Sequence, residues 1–221
     1  MPVPRPTEGA RDAAKYVSSL IEDGLSLAAI PFGATVTRAA QSYLERRETQ
    51  AREILFAAVK EGNIHLLTNP DYEHLIPNIF GYLEAVRRGE YIHNLRILAN
   101  LFAGELPRPS ADPGKVRRAA RRLEAMSSED LNLLYDINAI FVAKSQAKDF
   151  DGFHLFVDDR DIVKYRQRDY VSPEQEINSQ LADMVSRGLL YIGSNPGAFG
   201  GQYYYKTEAF EEIMAAARSI N

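Results

Sequence analysis

Asp149, Asp151, Asp158, Asp159 and Asp161 fall within one short stretch and form the densest set of potential metal ligands in the chain. Hard cations such as calcium take oxygen ligands from such clusters. Asp149-Phe-Asp151-Gly152 starts as a calcium loop starts. Its glycine arrives two residues too early for the sharp turn, and Leu155 to Val157 offer no ligand. A solvated loop is expected instead, with Asp158 to Asp161 in the first turn of a helix, where carboxylates oppose the positive helix end. The four histidines, His65, His74, His93 and His154, include no pair spaced one helical turn apart, and no H-E-x-x-H occurs. Cysteine is absent, so no thiolate ligand, nucleophile or disulfide is available. Neither a Walker loop, nor a dinucleotide fingerprint, nor a nucleophile elbow is present. Gly193, Gly197, Gly200 and Gly201 precede a strand rather than a helix, which suits a wing tip better than a phosphate cradle. A protein without catalytic residues, bound metal, cofactor or small-molecule ligand is expected.

Residues suited to binding a macromolecule are more prominent. Tyr203, Tyr204 and Tyr205 must alternate faces in a strand, so part of the run is core and part can join Phe199 on the surface. Phe199, Tyr203 and Tyr205 are therefore the candidate protein-interaction or self-association surface. A second candidate is a basic helix face carrying Lys115, Arg117, Arg118, Arg121 and Arg122, suited to phosphates. Asn178, Gln180 and Arg187 on a later helix would complete a duplex-DNA reader, since Asn and Gln can pair with adenine edges.

The elements that position these residues follow from periodicity. Residues 1–9 hold three prolines and read as a loose tail. Residues 10–104 read as an antiparallel helical bundle: a helix from about Arg11, one from Val36 to Gly62, one from Asp71 to Gly89, and one from Ile92 to Gly104. Residues 105–114, ELPRPSADPG, read as a linker, and 115–126 as a basic connecting helix. Residues 127–221 begin with Ser127 and Asp130 as a capping box. A short strand within 152–157, a short helix from about Asp159, and a helix opened by Ser172-Pro173 follow. Gly188 stops that helix, a hairpin spans Leu189 to Lys206, and Thr207 caps a last helix.

Helix, strand, helix, helix, hairpin, helix is the order of a winged helix. The ending Gly188-Leu189-Leu190, Tyr203 to Tyr205, Thr207 and Phe210 resembles the winged-helix ending of bacterial regulators. With Ile76-Pro77, the helix Leu95 to Leu101 and the helix start Ser127 to Leu134, the whole chain resembles bacterial abortive-infection alpha proteins. That resemblance implies a helical N-terminal region, a winged-helix-like end and a phage-defence setting, without a mechanism. The expected fold is mainly α, with a helical bundle followed by a winged-helix (α+β) domain bearing one β-hairpin.

Charge argues about partners. The chain carries a net charge of −4. Residues 1–125 hold 17 Lys and Arg against 15 Asp and Glu, whereas residues 126–221 hold 9 against 15. The acidic half is the half with the winged-helix pattern, and phosphate affinity needs cations. A protein partner or self-association is therefore expected ahead of duplex DNA. Residues 24–37 are uncharged but, at 14 residues broken by Pro31 and Gly33, fall short of the ~20 of a membrane span. Shallow membrane contact there is the third and weakest reading. The opening MPVPRPTEGARD has no apolar signal core, so a cytoplasmic location is expected.

Overall fold

The computed structural model describes residues 38–61, 76–106, 112–146, 156–166, 174–193 and 202–218. The helix expected from Arg11, the 24–37 stretch, Asp149 and Asp151, the Ser172-Pro173 start and Phe199 lie outside these residues. The described residues are mainly helical, with one small antiparallel sheet. No described helix is long and apolar enough to cross a membrane. The chain divides into two compact units, meeting in sequence at Ala125 and Met126.

The first unit contains α1 (Arg38–Glu61), α2 (Ile76–Arg87), α3 (Ile92–Glu105) and α4 (Lys115–Leu123). Leu55, Tyr82, Leu83, Val86, Leu95, Leu98 and Phe102 recur at helical spacing and are buried together. α1 packs on α3, and α2 on α4. The Tyr82 hydroxyl donates to the Ala51 carbonyl at 2.8 Å, tying α2 to α1. Burial pushes that phenol well above its ordinary pKa.

The basic helix is an integral part of this unit. Val116, Ala119 and Leu123 of α4 are buried against α2 and α3. Buried polar side chains hold both its ends. At the start, the Asn78 amide oxygen accepts from Val116 N at 3.1 Å, and its nitrogen donates to the Asp112 carbonyl at 2.8 Å. Glu105 accepts from Asp112 N at 3.2 Å and pairs with Lys115 at 3.1 Å. That anchorage explains why α3 runs through Gly104 to Glu105. At the far end, Asn94 Nδ2 donates to the Leu123 carbonyl at 2.9 Å and to Glu90 Oε1 at 2.6 Å. Glu90 Oε2 accepts from Ala125 N at 3.1 Å, and Ala125 sits at φ +56°, an uncommon conformation for a residue with a Cβ. Helix ends leave backbone groups unpaired; here buried Asn and Glu side chains satisfy them.

The second unit contains α5 (Ser128–Gln146), β1 (Val157–Asp158), α6 (Asp159–Arg166), α7 (Glu174–Ser186), β2 (Leu190–Gly193), β3 (Tyr203–Lys206) and α8 (Glu208–Arg218). The sheet order is β1-β3-β2, all antiparallel, with Tyr191 opposite Tyr205 and Val157 opposite Tyr204. The hairpin thus gains a third strand, only two residues long. Leu134, Ile137, Phe141, Ile162, Ile177, Leu181, Met184, Leu189, Phe210 and Ile213 form the core. The caps follow the sequence pattern. Ser127 Oγ accepts from Asp130 N at 3.1 Å, while Asp130 accepts from Ser127 N at 2.9 Å. Gly188, at φ +69°, ends α7 where a side chain would be strained. Thr207 Oγ1 accepts from Phe210 N at 3.2 Å and donates to the Leu189 carbonyl at 2.9 Å, joining the α8 start to the base of β2.

Candidate interaction site

The hairpin concentrates aromatic surface. β3 lies in the middle of the sheet, so its side chains have neighbours on both sides. Tyr205 stacks on Tyr191 across the ladder, with centroids 4.9 Å apart and planes 14° from parallel. Phe156, just ahead of β1, meets Tyr203 edge-on at 4.7 Å and Tyr205 at 6.0 Å. Tyr191, Tyr205, Phe156 and Tyr203 therefore form one continuous row on one face. Lys144 lies 5.3 Å from the Phe156 ring centre and pairs with Asp161 at 2.5 Å. Tyr204 points to the other face, is buried, and donates to Gln202 at 2.7 Å.

Exposure within this row is uneven. Tyr203 is buried and Tyr205 half-buried, whereas Tyr191 is 48% exposed and its neighbour Ile192 50% exposed. Tyr203 and Tyr205 thus build the row, while Tyr191 presents it to solvent; Ile192, opposite Tyr204, is exposed on the other face. Sequence reasoning missed Tyr191, Ile192 and Phe156. Hairpin register carried the signal for Tyr191: with Leu190 inward, Tyr191 must stand outward beside Tyr205. A second overlooked signal is charge. The run Leu189 to Tyr205 has no charged residue, inside a half that carries 24 of them.

The nucleic-acid candidates are differently placed. Lys115 is committed to Glu105, its side chain only 13% exposed. Arg118 pairs with Asp112, and Arg117 lies 3.9 Å from Glu84. The Asp112 carboxyl is held below its ordinary range chiefly by the Arg118 hydrogen bond. Arg121 is exposed and Arg122 half-buried. In the second unit, Asn178 faces solvent. Gln180 is half-buried and donates to Asp130 Oδ1 at 3.0 Å, and Arg187 pairs with Asp183 at 2.5 Å. The α4 arginines and the α7 residues belong to different units. An open groove of about 570 Å³ runs along α2, lined by Ile76, Pro77, Phe80 and Leu83 with Glu84, Arg87 and Arg117.

Of the acidic cluster, Asp158, Asp159 and Asp161 are described, and no group of three metal-binding side chains gathers among the described residues. Asp158 and Asp159 instead organise the start of α6, while Asp161 pairs with Lys144. Asp158 accepts from Arg160 N at 2.8 Å and from Arg160 Nε and Nη2 at 3.1 and 2.8 Å. The guanidinium holds the Asp158 carboxyl well below the usual range, while burial and then the Asp158 hydrogen bond push Asp159 up. A depressed carboxylate stabilises the fold above its unfolded pKa and loses that contribution as pH falls through the folded one. The Asp158→Asn variant keeps the cap and loses the charge. Its urea midpoint is expected to fall less than that of the wild type on acidification below about pH 4. Parallel curves would mean that the Arg160 contact adds nothing. Comparison with known protein families, with characterised proteins and with solved structures finds no match.

Proposed function

We propose that the chain is a non-catalytic binding protein whose second unit is a winged-helix-like interaction module, with the uncharged hairpin as its contact surface. The observation that carries the reading is half-exposed Tyr191, seated on a row of aromatic rings at the edge of the sheet, with Ile192 half-exposed beside it on the opposite face. Aromatic side chains supply large contact area at little entropic cost and are enriched in interface centres. The order of elements and the β1-β3-β2 sheet support the winged-helix description. The sequence resemblance to abortive-infection alpha proteins supports a setting in bacterial defence or regulation.

The reading is tested by crosslinking the tagged, full-length protein in the cells that make it. Protein conjugates are expected to disappear in Tyr191→Ala and to remain in Asn178→Ala. Conjugates that survive Tyr191→Ala in a folded protein overturn it.

Duplex DNA is the second reading, favoured by the outward Arg117, Arg118 and Arg121 of α4. Against it, Glu105 occupies Lys115, Asp130 holds Gln180 and Asp183 holds Arg187. Phosphate binding would weaken steeply as salt rises from about 50 to 200 mM, and neutralising Arg117, Arg118 and Arg121 would flatten that slope. Such a dependence would move the functional surface from the hairpin to α4.

A further inference from the structure

The outer edge of β2 has a definite chemistry. Thr207 N donates to the Leu189 carbonyl at 3.2 Å, which sets the phase of the ladder. Tyr191 and Gly193 then bond to β3, and the N–H and C=O of Leu190 and Ile192 point away from the sheet. Leu190 is buried, whereas Ile192 is half exposed. The accessible backbone of this edge is therefore centred on Ile192.

Natural edge strands are normally guarded by lysine, proline, a bulge or an inward charge. β2 carries none of these, being Leu-Tyr-Ile-Gly. The half of the chain that contains it is acidic in sequence, with 15 Asp and Glu against 9 Lys and Arg over residues 126–221. Two such net-negative halves repel one another on approach. They can approach closely only where charge is missing, and the uncharged run Leu189 to Tyr205 is such a place.

We propose that a second copy of this chain pairs with the β2 edge, antiparallel and about a twofold axis through Ile192. The proposal rests on the reading of the hairpin as a contact surface and names its occupant. In this register the Ile192 N–H of each copy donates to the Ile192 carbonyl of the other. Tyr191 then stands opposite Gly193 of the second copy. Gly193 suits that position: a side chain there would run into the ring of Tyr205, which already lies over it. The exposed side of Tyr191 thus finds an aromatic-covered glycine, and the row Tyr205–Tyr191 continues into the second sheet. The contact is isologous and closes after two copies. Four residues per strand bury less than the ~1,200 Å² of long-lived complexes, so the dimer is weak and concentration-dependent.

Sedimentation velocity of the purified full chain over a wide concentration range tests this. A monomer–dimer equilibrium is expected, weakened by roughly a hundredfold in Ile192→Lys, where two cations meet at the axis. Ile192 is half exposed, so the variant should keep its melting temperature. Because the chain lacks cysteine, an Ile192→Cys variant supplies a second, independent readout. On-axis Cα atoms would lie ~5.5 Å apart, and a short bis-maleimide should link them while leaving Glu176→Cys on α7 unlinked. A protein that stays monomeric throughout overturns self-pairing. If Tyr191→Ala still abolishes conjugates to another protein, the hairpin remains a contact surface for that protein. A dimer indifferent to Ile192→Lys, and not linked through position 192, also overturns the proposal and puts self-association on another surface.

Discussion

Asn94→Asp is expected to destabilise the first unit by about 3–5 kcal/mol at neutral pH, although it changes one nitrogen for an oxygen. Asn94 is fully buried, and its Nδ2 donates to both Glu90 Oε1 and the Leu123 carbonyl. An aspartate there would place two carboxylates 2.6 Å apart in the interior and leave the Leu123 carbonyl without its donor. Each half of that exchange is costly, since an unsatisfied buried carbonyl alone costs ~1–3 kcal/mol. The sign of the pH dependence separates this mechanism from a packing defect. A buried carboxylate pair must share a proton, so its folded pKa lies above the unfolded value. Stability is then retained below the unfolded pKa and lost as pH rises. The deficit relative to wild type should therefore shrink as pH falls toward about 4. Urea titrations at neutral and acidic pH measure it. A deficit that does not change with pH would mean that Glu90 is not the partner that matters. Hydrogen exchange should rise first in α4, whose C-terminal end this network holds.

The same network shows where sequence reading runs out. Ser127 with Asp130, the Gly188 stop and the Thr207 cap on Phe210 were legible because each acts within a few residues of itself. The short-range pattern S-x-x-D before an apolar run leaves few alternatives. Asn78, Glu90, Asn94 and Glu105 were not legible. They act on groups 7 to 38 residues away, and a polar residue on an apolar helix face looks the same in sequence whether it caps a distant helix or faces water. Their role also decides how α4 is used. A basic amphipathic segment after a proline-rich stretch reads as a connection, yet its apolar side is tied into α2 and α3, and Lys115 faces Glu105. For the candidate site, alternation placed Tyr203 and Tyr205 correctly on one face. It could not say that Tyr203 would be covered while Tyr191 stayed open, because burial depends on the segments packed above the sheet. Gln180 illustrates the same limit. Helical phase puts it near the outward face, but the side chain turns to Asp130 of the opening turn of α5.

Phe210→Ala carries the second large effect, and it connects the core to the hairpin. Phe210 is 1% exposed and meets Phe141 edge-on, with ring centres 6.1 Å apart. Removing such a ring costs ~3–5 kcal/mol, from lost transfer energy and from the cavity left behind. The position of Phe210 makes the loss reach the hairpin. Its own N–H is the group that Thr207 caps, and Thr207 directly follows β3 while holding the Leu189 carbonyl at the base of β2. α8 also packs against β3. Loosening α8 thus loosens the strand that carries Tyr205, and with it the ring against which Tyr191 stacks. Calorimetry should show an early transition absent from the wild type, and hydrogen exchange should place it in α8 and the hairpin. Phe210→Leu refills most of the space and should recover well over half of the loss, since hydrophobic swaps of similar volume cost under ~1.5 kcal/mol. Self-association or partner binding should fall in step with the stability of the second unit in both variants. If Phe210→Ala binds normally while its second unit is largely unfolded, the hairpin is not the contact surface.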